Sequence, residues 1–150
     1  MNEKFIQNLD KLPADVRREF ALLANRYGEK KKQDTIQTDF LSFVKHVWPD
    51  FIEGSHHKRI ADKFNKLASG EIKRLIINMP PRHTKSEFGS YLLPAWMVGK
   101  NPKLKIIQST NTTELSVRFG RKAKALIDSP EYQDRKSTRL NSSHLVISYA

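Results

Sequence analysis

The chain has 150 residues, with 27 Lys+Arg against 16 Asp+Glu, a net charge of +11 and no Cys. That length sets one domain or part of a larger one, and the lack of Cys excludes a disulfide scaffold and a thiolate metal site. No apolar run approaches the roughly 20 residues of a membrane helix, and the start, MNEKFIQNLD, carries acids where a signal peptide needs a basic, then apolar, stretch. A cytosolic chain away from membranes is expected. Its surplus of cations favours a polyanionic partner.

Pro13 to Tyr27 reads as a first helix, with Val16, Phe20, Leu23, Ala24 and Tyr27 on one face. Gly28 suits its C-terminal cap, and Glu29–Asp34 (EKKKQD) reads as a charged connector holding Lys30, Lys31 and Lys32. A second helix starts at Asp39, an N-cap residue, buries Phe40, Phe43, Val44 and Val47, and ends at Trp48-Pro49. Ser55 caps a third, with Ile60, Phe64 and Leu67 inward and Gly70 at its end.

The pattern then changes. Arg74–Asn78 (RLIIN) is a short continuous apolar run, as in a buried strand of a parallel sheet. Pro80–Ser86 (PPRHTKS) reads as a loop. A helix follows from Lys85, with Phe88, Tyr91, Leu92, Ala95 and Trp96 on one face, and Pro94 should kink or shorten it. Leu104–Gln108 (LKIIQ) reads as a second strand. Asn111 and Glu114 have capping-box spacing for a last helix with Leu115, Phe119, Ala123, Leu126 and Ile127 as its apolar stripe. Strand, loop, helix, strand and helix predict an α/β fold: one βαβ unit of a parallel sheet plus its next helix, preceded by a helical N-terminal segment.

The final stretch, 134–150, reads DRKSTRLNSSHLVISYA and breaks with what precedes it. Its codons can be written as the adapter ligated to fragments in short-read DNA sequencing, with Leu145 and Val146 in place of the index. The segment is expected to be a non-native tail and is left out of fold reasoning. Without it 24 basic residues face 15 acidic ones, +9, so the basic character persists. The same reading implies a natural gene product that continues past Gln133. Three segments result: a helical N-terminal part with its connector (1–38), a part holding the α/β pattern (39–133) and the tail (134–150).

The chemistry is concentrated between the first expected strand and its helix, where a phosphate-binding loop belongs. In the pattern G-x-x-x-x-G-K-[ST], Lys85 and Ser86 fill the last two places, while Met79 and Thr84 occupy the glycine positions. Lys85 can supply a point charge to phosphates, and the Ser86 hydroxyl can coordinate Mg²⁺. A β-branched Thr84 at positive φ is costly. A Lys-Ser pair after a strand, by itself, starts a helix more often than it binds a nucleotide.

Asn78–Glu87 (NMPPRHTKSE) resembles the divergent Walker A segment of large terminase subunits, the DNA-packaging motors of tailed phages. The resemblance spans about Asp39 to Gln133: FLSFVKHVWPDF, HHKRI, ASGEIKRLIIN and LIDSPEYQ each resemble a family segment in the same order. It implies that the α/β part is a P-loop NTPase-type (RecA/ASCE-like) parallel sheet fragment, with 39–133 the N-terminal part of an ATPase domain. It implies an ATPase using ATP and Mg²⁺ to translocate double-stranded viral DNA, with an endonuclease half in the parent protein. It implies Lys85 as the phosphate-binding lysine, Ser86 as the Mg²⁺ ligand through the nucleotide, and Arg82 as an arginine that senses or stabilises the γ-phosphate. Lys85 and Arg82 are thus the catalytic candidates. Pro81, Arg82, His83, Thr84, Lys85 and Ser86 are the nucleotide-binding loop.

His56 and His57 fall where the family has its adenine-side segment. Base stacking and a surface helix start are equal alternatives for them. His46 is expected on the exposed side of its helix. Arg118, Arg121, Lys122 and Lys124 are candidates for gripping DNA phosphates, against a solvated helix face as the plainer alternative. The resemblance further implies a small terminase subunit, a portal protein and a homo-oligomeric ring as partners, in the host cytoplasm. No apolar strand ending in Asp-Glu precedes Gln133, so this chain is expected to hold part of an ATPase domain with little turnover. A helicase-like ATPase and a non-enzymatic basic DNA-binding module are the competing readings.

Overall fold

In a computed structural model the described residues, 13–133, form helices joined by segments without regular secondary structure. In chain order they are α1 (Ala14–Thr38), α2 (Phe40–Val47), α3 (Ser55–Ser69), α4 (Lys85–Glu87), a π-helical turn (Phe88–Leu92), α5 (Leu93–Lys100), α6 (Thr113–Asp128) and α7 (Pro130–Gln133). The tail expected to be non-native lies outside the described residues. The chain divides into two compact units, Met1–Asp34 and Thr35–Ala150.

The expected parallel sheet is absent: no β-strand occurs among the described residues. Both apolar runs lie outside any helix or strand, and the helical run from Lys85 to Lys100 does connect them, but no ladder of hydrogen bonds joins them. Their burial alternates. Leu75, Ile77 and Met79 pack against the core, and Leu104 and Ile106 are half-buried. Ile76 and Ile107, on the opposite faces, are 87% and 81% exposed. An unbroken apolar run encodes a preference for extended backbone; it does not supply the partner that makes a strand. A parallel pair is the weaker pairing, and two strands with one face uncovered are marginal in water.

The first unit holds only helix among its described residues. Here the sequence expectation also needs correction. α1 runs straight through Gly28 and the expected connector. A glycine inside a helix costs only about 1 kcal/mol, and Lys30, Lys31, Lys32 and Gln33 are good helix formers. Every residue from Pro13 to Lys32 is exposed, so the stripe expected to face a core does not; Tyr27 is 71% exposed.

In the second unit the core gathers around Phe40. Its ring lies 5.0 Å from Phe64, 5.4 Å from Phe88 and 5.4 Å from Trp96, all near edge-to-face. That geometry sets the positive ring edge against a negative face and adds to the area buried. Asp39 places Phe40 there. Its carboxylate accepts from Ser42 N–H (2.7 Å) and Asn65 Nδ2 (2.8 Å), while Asn65 Oδ1 accepts from Phe40 N–H (2.9 Å). One polar clasp therefore caps α2 and fixes it to α3. Burial works to raise the Asp39 pKa, but the hydrogen bonds from Ser42 and Asn65 outweigh it and hold the carboxyl below its ordinary range.

Helix ends follow the sequence closely elsewhere. α3 begins after Gly54 rather than on Ser55 as cap, and Gly70 ends it in the left-handed conformation (φ 82°). α6 is capped by Thr112, whose side chain accepts from Leu115 N–H, not by Asn111. Pro94 does not break its helix. It has no N–H to give and its ring excludes the carbonyl four residues back. The ladder widens by one residue just before it: Leu93 N–H reaches Phe88 O, five residues back. The helical run thus continues to Lys100 with Phe88, Leu92, Ala95 and Trp96 buried.

Two further bonds close the unit. Trp96 Nε1–H donates to Ile36 O (3.1 Å), and the buried Tyr132 hydroxyl donates to Ala95 O (2.7 Å). His46, expected on an exposed face, is half-buried and its Nε2 lies 3.0 Å from Glu131 O. Replacing Phe40 with Ala should lower stability by about 3–5 kcal/mol, whereas Leu22→Ala on exposed α1 should stay within about 0.5 kcal/mol. Denaturant midpoints check both, and equal losses would contradict the placement of the core.

Candidate functional site: the loop 80–86

The loop between Met79 and α4 takes its shape from two residues in left-handed backbone. Arg82 has φ 64° and Thr84 φ 57°, the only non-glycine positive φ values among the described residues. Left-handed backbone crowds a side chain's Cβ against the carbonyl, and a β-branched residue such as Thr84 suffers most. His83 folds back within the loop, its Nδ1 2.9 Å from Pro81 O. Thr84 is the residue before the first helical turn, and Phe88 N–H bonds to Thr84 O (2.9 Å). The N–H groups of Lys85, Ser86 and Glu87 precede that bond and so have no acceptor within the helix. The side chains of Lys85, Ser86 and Arg82 are exposed.

What holds Thr84 is His57, 27 residues earlier. His57 Nε2 lies 2.7 Å from Thr84 Oγ1, and Thr84 Oγ1 donates to His83 O (2.7 Å). On the other side of the ring, Nδ1 accepts from Gly54 N–H (2.8 Å). An Nδ1 that accepts carries no proton, so the proton sits on Nε2 and is donated to Thr84. The chain of bonds runs in one direction, from Gly54 through His57 and Thr84 to His83.

Ring packing locks this imidazole. His57 is 5% exposed; it stacks on Phe88 (5.0 Å, 30°) and meets Phe51 edge-on (4.7 Å). Its neighbour His56 lies 3.8 Å away, centroid to centroid, and His56 in turn lies 5.6 Å from His83. Gly54 is needed for this closeness, because a Cβ there would come within 2.8 Å of the His56 ring. Burial lowers the His57 pKa below its ordinary value, helped by the neighbouring His56 and His83; Glu53 opposes the shift. Glu53 is itself ion-paired with Lys45 and with Lys58.

The structure therefore brings His56 and His57 to the loop, as sequence reasoning grouped them. The exposed ring needed for base stacking is not found at His57, whose ring is buried among aromatic neighbours. Nothing in the sequence pointed to Phe51, Phe88 or Gly54 as its supports; the one signal was the glycine position filled by threonine, which calls for a compensating contact. No group of three or more His, Cys, Asp or Glu suited to a metal ion occurs among the described residues.

The basic candidates lie on α6, apart from this loop. Thr113, Glu114, Val117, Arg118, Arg121 and Lys122 line an open groove of about 490 Å³. Lys122 Nζ sits 5.3 Å from the centre of the Tyr91 ring. Lys124 is exposed on the same helix but does not line the groove. Three cations and one carboxylate stand among its lining residues, while the lining surface itself is mostly apolar; cations are the groups that meet a phosphate backbone. Comparison of the chain with family models, curated proteins and solved structures gives no match.

The His57 arrangement has a pH consequence. Its folded pKa is depressed, so its contribution to stability is complete above the unfolded value of about 6.5. As pH falls below that value the unfolded chain takes up a proton that the folded ring resists, and the contribution is lost. Between about pH 7 and about pH 5, denaturant unfolding should show a larger loss of stability in the wild type than in His57→Gln. An equal loss would contradict a buried neutral imidazole.

Proposed function

We propose that this chain is a nucleoside-triphosphate-binding part of a DNA-packaging ATPase of the terminase type, with the loop 80–86 as its phosphate site. The observation that carries the reading is the loop itself. A Lys-Ser pair opens a helical run directly after a turn held in left-handed backbone at Arg82 and Thr84. The reading does not rest on a parallel sheet, which the described residues lack. It rests on this local geometry and on the ordered resemblance of the segments from Asp39 to Gln133.

The donor set fits a magnesium-nucleotide complex. Lys85 offers an exposed ammonium and Ser86 an exposed hydroxyl on adjacent residues, and the first-turn N–H groups lack helical acceptors. Lys85 would hold phosphate oxygens, Ser86 would ligate the Mg²⁺ that neutralises them, and Arg82 would add a guanidinium on the loop's outer side. Such a metal-nucleotide complex, when bound, would supply the γ-phosphoryl group that is transferred to water, with the nucleoside diphosphate as leaving group. The chain's own part is to place opposite charge and hydrogen-bond donors around it. Hydrolysis also needs an acid that orients water, and no residue is nominated for that role. The small subunit, portal and ring belong to the same proposal, as partners of the complete motor.

A second reading is favoured by one observation, the α6 groove. There Arg118, Arg121 and Lys122 converge and could grip duplex DNA without any nucleotide. The two readings separate cleanly by mutation. Lys85→Ala should weaken Mg-ATP binding at least about tenfold and leave duplex DNA affinity unchanged. Replacing Arg118 and Arg121 with Ala should reduce the salt dependence of DNA binding by up to about two phosphate contacts. Calorimetry with Mg-ATP and salt-titrated DNA binding measure these. ATP affinity indifferent to Lys85 would leave the basic binding module as the better account.

A further inference from the structure

We propose that the buried His57 is a positioning residue that does the work of the missing glycine at position 84: by donating its Nε2–H to Thr84 Oγ1 it holds a threonine in left-handed backbone and so fixes the loop that presents Lys85 and Ser86. The inference rests on the reading of 80–86 as a phosphate-binding loop.

The general phosphate-loop pattern has glycine immediately before the Lys-[ST] pair. Glycine is favoured there because it enters positive φ without a Cβ penalty. This chain has Thr84 at that place, at φ 57°. Such a residue persists in left-handed backbone only when its surroundings over-determine it. Here the hydroxyl that comes with threonine is the handle. It accepts a hydrogen bond from His57 Nε2–H at 2.7 Å and donates its own to His83 O at 2.7 Å. The donor itself cannot swing away. Nδ1 is held by Gly54 N–H, one face lies on Phe88, and Phe51 meets the ring edge-on. Phe88 is the fourth residue of the helical run that begins with Lys85. The histidine is thus braced by the same element whose first turn it helps to set.

These residues divide the roles. His57 touches no expected substrate group; it acts through Thr84. Thr84 supplies backbone shape, not a ligand. Lys85 and Ser86 remain the exposed groups that meet the phosphates. A glycine at 84 needs no brace, so the brace and the glycine are interchangeable solutions to one steric problem. That interchangeability is what makes the inference testable, because a purely structural histidine would not be rescued by a change in the loop.

The test uses the full 150-residue chain and Mg-ATP affinity by calorimetry. His57→Phe keeps an aromatic ring between Phe51 and Phe88 but removes both hydrogen bonds. It should weaken binding about tenfold, the scale of the backbone cost it releases. Adding Thr84→Gly to His57→Phe should restore affinity to within about threefold of wild type. Thr84→Val, which keeps the shape without the hydroxyl, should lose as much as His57→Phe, while Thr84→Ser should retain wild-type affinity. A double variant as weak as His57→Phe, or a Thr84→Val chain that binds like wild type, would overturn the inference. If the wild-type chain binds no Mg-ATP, the nucleotide reading fails. The latch is then decided by NMR alone, from the three-bond coupling that reports φ at Thr84. A coupling that changes in His57→Phe supports it, and an unchanged coupling overturns it.

Discussion

The burial of Phe88 is the constraint on which the rest of the second unit depends. Its ring lies 5.4 Å from Phe40, 5.5 Å from Phe51 and 5.0 Å from His57. The first contact belongs to the core, and the last belongs to the residue that holds the loop. Because Phe88 follows Lys85 by less than one helical turn, the start of the helix is anchored almost at its first residue. Lys85 and Ser86 therefore project from a fixed point while remaining in solvent. A loop that must present charge without wandering needs such an anchor close behind it.

Around that anchor the unit is assembled by few polar bonds, each with a definite task. Asp39 and Asn65 clasp α2 to α3, Trp96 ties α5 to Ile36, and Tyr132 ties α7 to α5 through Ala95 O. The aromatic cluster supplies the largest fully buried side chains, Trp96, Tyr132, Phe40, Phe43 and Phe88, and burial of such rings is worth more than any single surface ion pair. The ion pairs of Glu53 with Lys45 and Lys58 stand beside the His57 segment and contribute local charge balance rather than cohesion. Of the cations of α6, Arg118 and Arg121 are exposed and line the groove, Lys122 lines it too with its Nζ over the Tyr91 ring, and Lys124 is exposed outside it.

The helices α2, α3 and α6 were largely legible. Phe40, Phe43 and Val44, then Ile60 and Phe64, then Phe119, Ala123 and Ile127 recur at helical spacing and are buried. Asp39 and Gly70 mark their ends by chemistry that acts within one turn. The sheet was misread because Arg74–Asn78 and Leu104–Gln108 carry strand-like composition, yet pairing is a contact between distant segments that neither run specifies. α1 was misread at Gly28, where helix formers on both sides outweigh one flexible residue. In the loop, the residue types were legible and their geometry was not. Thr84 in a glycine position signalled strain, but its partner His57 lies 27 residues away and only the fold brings them together.

The central claim is that the loop braced by His57, and not the groove on α6, receives the nucleotide. Backbone amide NMR of the full chain titrated with Mg-ATP tests it most directly. The account predicts the largest shifts at residues 82–86, with the amides of Arg118, Arg121 and Lys122 moving little. Shifts confined to α6, with the loop unchanged, would contradict it.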